Sequence, residues 1–178
     1  MPQLISPTPC LHQSWLEARD EWGRGTHQDG SGLHESDEVD SPEGFHAWVR
    51  RLHREADSSV PPEQGRVHSS YFWIVEDDCY LGAIALRHVL NAFLLEAGGH
   101  IGYGVRPSAR RRGLGTWALA SVLPKAKALG LSEVLVTCDE TNTGSQRVIE
   151  ANGGVMEDIR DTPLGRTRRY WISLGQVT

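Results

Sequence analysis

The chain has 178 residues, of which 39% are hydrophobic, and this length suits one domain with a substantial core. Its three cysteines are widely spaced, which argues against a disulfide framework and indicates a cytoplasmic location. The sequence shows neither a signal-peptide pattern nor an apolar run of about 18 residues, which argues against secretion and membrane spanning. The formal net charge of −5 argues against a nucleic-acid partner, because phosphate neutralisation needs a broad basic surface.

Residues 1–70 are predicted to form two helices joined by an acidic loop. A cap-plus-proline signal and apolar residues at helical spacing predict a helix near 9–22. Segment 23–41 is rich in glycine and acidic residues, a composition typical of a flexible loop. A second cap-plus-proline signal begins at Ser41, and the helix that follows has one apolar face, formed by Phe45, Trp48, Val49 and Leu52.

Residues 71–175 contain the predicted sheet. Two aromatic and β-branched runs flank a turn at Asp77-Asp78, which predicts a β-hairpin. The later segments predict, in order, strand 100–105, a helix from the glycines at 113 and 115 to about 129, strand 134–137, helix 145–151 and strand 169–174. Pro124 should kink the first of these helices. The fold class is therefore mixed α/β (α+β), in one domain over 1–178.

The segment between the predicted strand and helix, 105–116, has the properties of a phosphate-binding turn. Its glycines allow close backbone approach, the helix start offers free N–H groups, and three arginines supply charge-assisted hydrogen bonds. A plain turn with solvated arginines is the alternative. The dinucleotide fingerprint Gly113-x-Gly115-x-x-Ala118 is also formally present, but it lies too far from the strand, and too few residues follow it, for a dinucleotide-binding oxidoreductase.

Two motifs in this region resemble those of one known family. The pattern V-x-P-x-x-(R/Q)-x-x-G-x-(G/A) is complete here, as Val105, Pro107, Arg110, Gly113 and Gly115. Segment 142–154 begins with an asparagine, has a small residue three positions later and ends in glycines. On these residues the chain resembles the GNAT superfamily of acyl-CoA N-acyltransferases, and in particular a bacterial subgroup of predicted acetyltransferases.

The resemblance implies a twisted mixed sheet, flanked by helices, whose fourth and fifth strands splay apart around acetyl-CoA. Backbone groups near Val105 would pair with the pantetheine arm, the glycine turn would hold the pyrophosphate, and Asn142 would contact the arm. Arg147 would either approach the 3′-phosphate or be solvated. The cofactor-binding residues expected on this basis are Val105, Arg110, Arg111, Arg112, Gly113, Gly115, Thr116, Asn142 and Ser145.

The implied activity is transfer of an acetyl group from acetyl-CoA to a primary amine of a small molecule or peptide, by direct attack through a tetrahedral intermediate. An amine with a pKa of about 10.4 needs a general base. His100 is the candidate base because it begins the strand that leads to Val105, and a histidine that only bonds a loop is the alternative. Family members often protonate the leaving thiolate with a tyrosine where this chain has Ile149, so Tyr103 is the candidate acid, unless the thiolate leaves unprotonated. Cys138 is interpreted as a core residue rather than the site of an acyl-enzyme.

The resemblance also implies that residues 1–70 roof the acceptor end of the slot, where acidic and tryptophan side chains would attract a cationic amine; a solvated loop is the alternative. The acidic residues concerned are Glu17, Asp20, Glu21, Glu35, Asp37, Glu38 and Asp40. No metal site is predicted, because His46, His53 and His88 lack ligand-like spacing. A non-catalytic CoA-binding module and a partner-binding domain are the alternatives to an enzyme, and the sequence leaves a homodimer open.

Overall fold

Seven strands form one sheet in the computed structural model, which describes residues 1–175. The strands are β1 (Gln3–Ile5), β2 (Ser69–Glu76), β3 (Cys79–Arg87), β4 (Ile101–Val105), β5 (Glu133–Asp139), β6 (Val155–Thr162) and β7 (Gly165–Ser173). Their order across the sheet is β1-β2-β3-β4-β5-β7-β6, and neighbouring strands are antiparallel except for β4 and β5. The predicted mixed sheet is therefore confirmed.

Four α-helices flank the sheet: α1 (His12–Trp22), α2 (Pro42–Ala56), α3 (Leu114–Ala128) and α4 (Thr143–Ala151). Short 3₁₀ turns at Pro9–Leu11 and Pro107–Ala109 and a π-helical turn at Leu94–Gly98 complete the helical structure of the described chain. The predicted cap at Ser41 acts as expected, since its side chain accepts a hydrogen bond from the backbone N–H three residues later, and Asn142, which was not predicted as a cap, does the same for α4. Helix α3 runs through Pro124. None of the helices within 1–175 is long and apolar enough to cross a membrane.

Each face of the sheet carries its own apolar cluster. Successive residues of β2 point to opposite faces, so Trp73 packs with α1 and α2 while Ile74 packs with α3. On the first face, the rings of Trp15, Phe45 and Trp48 surround Trp73, with centroids between 5.0 and 6.0 Å apart. This buried aromatic cluster holds the first two helices over the β2–β3 hairpin.

Strands β4 and β5 separate almost as soon as they meet. They are parallel and pair only at Ile101 and Val136, whereas β4 pairs with β3 along its full length. Strand β4 therefore continues to Val105 with no strand on its other side. The predicted splay of the fourth and fifth strands is confirmed.

Three parts of the chain differ from the sequence prediction. Strand β1 has three residues and β6 is a mostly exposed edge strand with several charges, so neither shows the apolar alternation that predicts a strand. Loop 23–41 is also packed rather than loose, because Gln28 and Ser31 are buried in it. An added Cβ at Gly30 would lie 2.5 Å from the carbonyl oxygen of Gly102, so the loop backbone rests directly on β4.

Candidate functional site

The divergence of β4 and β5 opens a cleft with a volume of about 620 Å³. Its walls come from β4, the turn into α3, the end of β5 and the first turn of α4. The predicted cofactor-binding residues that line it are Val105, Arg110, Arg111, Gly113, Gly115, Thr116, Asn142 and Ser145. Two motifs that are separated in sequence therefore face the same cavity.

The turn at the mouth of this cleft is shaped for an anion. Arg111 and Gly113 both have left-handed backbone conformations, with φ of 60° and 76°, and a non-glycine residue in this region is uncommon. Gly113 is the N-cap of α3 and no side chain caps the helix, unlike α2 and α4. The first N–H groups of α3 therefore have no capping partner, and a diphosphate fits this end of the helix by both hydrogen bonding and the helix dipole.

The three consecutive arginines of the turn do not share one environment. Arg110 donates from Nε to the Val105 carbonyl oxygen at 3.1 Å, and its guanidinium lies 5.1 Å from the Trp22 ring centroid. Arg111 lines the cleft without an ion pair among the described residues. Arg112 is paired with Glu76 and lies outside the cleft wall, so the structure does not support the prediction that Arg112 contacts the cofactor.

Tyr103 links the two motifs across the cleft. Its hydroxyl lies 2.6 Å from the Ser145 Oγ, where either atom can be the donor, and the Ser145 backbone N–H donates to the Asn142 side chain at 3.0 Å. Burial raises the pKa of Tyr103 to about 12. The phenol is therefore protonated at neutral pH and can donate a hydrogen bond into the cleft.

His100 lies behind the cleft rather than on its wall. It is 5% exposed, and its Nδ1 accepts a hydrogen bond from the Leu135 backbone N–H at 2.9 Å. Burial, together with the charge of Arg87, lowers the pKa of His100 to about 4. The hydrogen bond from Leu135 to Nδ1 links the start of β4 to β5 at the point where the two strands diverge. Because His100 is buried there and does not line the cleft, its position argues against a role as the general base.

The positions of three further residues, Cys138, Ile149 and Arg147, bear on the roles considered for them. Cys138 lines the cleft, but burial raises the pKa of its thiol to about 11, so little thiolate is present at neutral pH. This disfavours an acyl-enzyme on Cys138. Ile149 is fully buried in the core beside α3, and Arg147 is exposed and outside the cleft wall.

A second cavity of about 540 Å³ lies on the other side of the packed loop. It is enclosed by residues from the loop, from segment 60–69, from the ends of β2 and β3, and from the start of the π-helical turn. Asp29 lines both cavities, and its carboxylate lies 2.9 Å from His27 Nε2. Neither Asp29 nor Arg87, another residue of this cavity, can be recognised as a site residue from the sequence, because no local pattern marks either of them.

The acidic residues predicted to attract the amine do not line either cavity. The set Glu17, Asp20, Glu21, Glu35, Asp37, Glu38 and Asp40 is absent from both linings. Most of these carboxylates hold other parts of the chain: Asp40 pairs with Arg19, and Arg106 holds the pKa of Glu21 at about 2. The two cavities therefore do not use these seven carboxylates, and Trp22 is the aromatic residue of the first 70 that lines the cofactor cleft.

Two of the three histidines considered as metal ligands, His53 and His88, are hydrogen-bonded elsewhere. His53 Nε2 lies 2.8 Å from the Pro7 carbonyl oxygen, and His88 Nε2 lies 2.8 Å from Ser70 Oγ. Within residues 1–175, no three His, Cys, Asp or Glu side chains are grouped as a metal site requires.

Comparison with known proteins identifies the architecture. A family model described as an acetyltransferase (GNAT) domain matches residues 27–155. No curated protein sequence matches the chain. Similar solved structures include Mycobacterium smegmatis RimJ in complex with a CoA-disulfide, with TM-score 0.70 and 18% identity over 97% of this chain and 81% of that one.

Two further structures show the same fold. The microcin self-immunity acetyltransferase MccE, in complex with acetyl-CoA and AMP, has TM-score 0.70 and 11% identity over 97% of this chain and 92% of that one. RimL, a ribosomal alpha-N-protein acetyltransferase in complex with coenzyme A, has TM-score 0.67 and 16% identity over 99% of this chain and 96% of that one.

Proposed function

The chain belongs to the GNAT acetyltransferase family, and we propose that it transfers an acetyl group from acetyl-CoA directly to a primary amine of a small molecule or peptide. The observation that carries this proposal is the cleft in which the unpaired edge of β4 faces the uncapped start of α3. The similar structures MccE and RimL contain acetyl-CoA and coenzyme A, respectively, which supports the same ligand here.

The cleft offers a distinct group to each part of this ligand. The free edge of β4 up to Val105 can hydrogen-bond an extended amide-containing arm as an added strand would. The N–H groups at the start of α3 and the unpaired Arg111 suit the diphosphate. When bound, acetyl-CoA supplies the thioester carbonyl that the acceptor amine attacks.

We assign proton donation to Tyr103. Its phenol is protonated at neutral pH and projects into the cleft between β4 and α4, where Ser145 fixes its direction. A hydrogen bond or proton from this hydroxyl stabilises a departing thiolate. The tyrosine thus supplies, from β4, the acid that the buried Ile149 cannot supply from α4.

We assign the amine end of the site to Asp29 rather than to His100. Asp29 borders both cavities, so its carboxylate is within reach of an amine held beside the loop that separates them. Its contact with His27 Nε2 provides a partner that can pass a proton to solvent, because both side chains are exposed. His100 has neither the position nor a free Nδ1 for this role.

Calorimetry with acetyl-CoA, followed by an amine screen that measures thiol release, tests the proposal. We expect saturable binding and amine-dependent release of coenzyme A. Arg111→Gln should weaken acetyl-CoA binding by about 10-fold through loss of a charge-assisted hydrogen bond, while Arg112→Gln should change it less than about twofold. Binding without thiol release for any amine would show a non-catalytic CoA-binding module, and no binding at all would contradict the whole assignment.

A further inference from the structure

Arg87 stands at the end of β3 and faces the second cavity. Its Nη1 donates to the carbonyl oxygens of Gly98 and Gly99 at 3.0 and 3.1 Å, which fixes the guanidinium in place. No hydrogen-bond partner of Nε or Nη2 is found among residues 1–175, and no carboxylate in that range forms an ion pair with the side chain.

Among the buried and half-buried arginines of residues 1–175, Arg87 and Arg168 are the two without a carboxylate partner, and Arg168 lies outside both cavities, where it donates to the Glu140 carbonyl oxygen. Arg19, Arg106 and Arg169 are buried, and each is paired with at least one carboxylate. Arg51 is half-buried and contacts both Asp37 and Glu55. Arg87 is also half-buried, and burial lowers its pKa more than the nearby Tyr71 and Asp29 raise it, so its charge is only partly compensated.

The other charged groups of the cavity are already engaged. Glu55 accepts hydrogen bonds from Arg51 and from the Tyr71 hydroxyl, Glu63 pairs with Arg66 at 3.8 Å, and Asp29 contacts His27. Arg54 is exposed at the rim, and burial lowers the pKa of His34, which keeps that ring neutral. The free positive charge within the cavity is therefore that of Arg87.

The guanidinium also lies close to β4, the strand that forms one wall of the cofactor cleft. A Cβ added at Gly102 would lie 3.7 Å from Arg87 Nη2, and Gly102 is part of the cofactor cleft wall. A group bound to Arg87 is therefore separated from the cofactor cleft by the width of one strand. The cavity volume of about 540 Å³ suits a small molecule or the end of a peptide.

We propose that Arg87 binds a carboxylate of the acceptor, and that the acceptor is consequently an amine with a carboxylate close to it, such as an amino acid or a peptide terminus with an acidic side chain. The two free donors of the guanidinium, Nε–H and Nη2–H, form the planar fork that matches the two oxygens of a carboxylate. The carboxylate of Asp29, which borders both cavities, is then available to the amine end of the acceptor. This inference rests on the proposed function.

The test compares each α-amino acid with its carboxamide as acceptor, by thiol release from acetyl-CoA. The preference of an enzyme for the acid is the kcat/KM for the acid divided by the kcat/KM for the amide. Because the acid and the amide differ in amine pKa, this preference is compared between the wild type and the variant, where the pKa difference cancels. We expect Arg87→Gln to reduce the preference for the acid by about 10- to 100-fold, as for loss of a charge-assisted bidentate contact. Arg50→Gln, an exposed arginine of α2 outside both cavities, should leave the ratio unchanged.

Arg87→Lys keeps the positive charge but loses the planar pair of donors, so it should give an intermediate preference for the acid. This variant replaces Arg87→Gln in the test if Arg87→Gln lowers the melting temperature or the affinity for acetyl-CoA. An unchanged ratio in both variants, or a wild type that prefers the amides, would overturn the inference while leaving amine acetylation intact. A preference for O-phosphoethanolamine over ethanolamine that disappears in Arg87→Gln, without a carboxylate preference, would assign the site to a phosphate instead. If acetyl-CoA binds and no amine of any kind releases thiol, the proposed function fails and the role of Arg87 falls with it.

Discussion

The two cavities of this molecule are built in different ways. The cofactor cleft is formed largely by main chain: the free edge of β4, the turn at Gly113 and the uncapped start of α3. The acceptor cavity is formed by side chains from separate parts of the chain, including the packed loop, segment 60–69 and β3. The first cavity therefore depends on backbone geometry, whereas the second depends on individual charges such as those of Asp29 and Arg87.

Gly30 packs the loop between the two cavities against β4, and its replacement should have the largest effect. An added Cβ would lie 2.5 Å from the Gly102 carbonyl oxygen and 2.9 Å from the Tyr103 Cα, so Gly30→Ala must lift the loop off β4. We expect kcat/KM to fall by more than about 100-fold and the melting temperature to fall by several degrees, because misplacement of Asp29 adds to overpacking.

Gly25→Ala is the matched control for this change. Gly25 lies in the same loop with φ of 78°, close to the 77° of Gly30, and an added Cβ there meets no atom within 4 Å. Both variants therefore carry a similar backbone strain of about 1–2 kcal/mol. Equal losses in activity for the two variants would show that the contact between the loop and β4 has no role in the site.

The cofactor cleft could be predicted from sequence because its determinants are contiguous. Val105, Arg110 and Gly113 lie within one strand-to-helix segment, and their chemistry follows from glycine conformation and the helix start. Arg112 shows the limit of that reasoning: it belongs to the same run, but Glu76 on β2 draws it away from the cleft. A partner that is distant in sequence cannot be read from the run itself.

The acceptor cavity could not be predicted for the same reason. The acidic composition of loop 23–41 suggested a mouth for cations, but a carboxylate such as Asp40 is held by an arginine from another element. The functional difference lies in which charges remain unpaired, and pairing is a property of the folded chain. Arg87 and Asp29 therefore emerge only from the structure.

Tyr103→Phe tests the chemistry of the cofactor cleft and should have the second largest effect. The change removes the hydroxyl that lies 2.6 Å from Ser145 Oγ and leaves the ring in place. We expect kcat to fall by about 100-fold through loss of the proton donor, with acetyl-CoA affinity nearly unchanged. Steady-state kinetics and calorimetry measure the two quantities separately.

Tyr170→Phe is the control for that substitution. The Tyr170 hydroxyl donates to Glu150 at 3.2 Å, and the residue lies in the core, outside both cavities. It should lower stability slightly and leave kcat within about twofold. If Tyr103→Phe retained full kcat, the thiolate would leave unprotonated, as a thiol pKa of about 8.5 permits, and Tyr103 would have only a structural role.

His100→Asn should have the smallest effect on activity and a distinct effect on stability. The asparagine Oδ1 can accept the Leu135 N–H in place of Nδ1, but it does not titrate. Because the folded pKa of His100 is about 4 and that of an exposed histidine is about 6.5, the unfolded chain binds more protons between these values. The stabilisation from neutral His100 is therefore complete above about pH 6.5 and is lost as the pH falls towards 4, by up to about 3 kcal/mol.

The difference in unfolding free energy between wild type and His100→Asn isolates this linkage from the carboxylates that titrate in both proteins. We expect the wild type to lose its advantage over the variant as the pH falls from 6.5 to 4, while kcat at pH 7.5 stays within about threefold. A constant stability difference across that range would mean that His100 titrates normally and is not held neutral by the β4–β5 junction. A large loss of kcat at pH 7.5 with intact acetyl-CoA binding would instead show that His100, and not Asp29, is the general base. A residue that only packs behind the cleft wall would not cause such a loss.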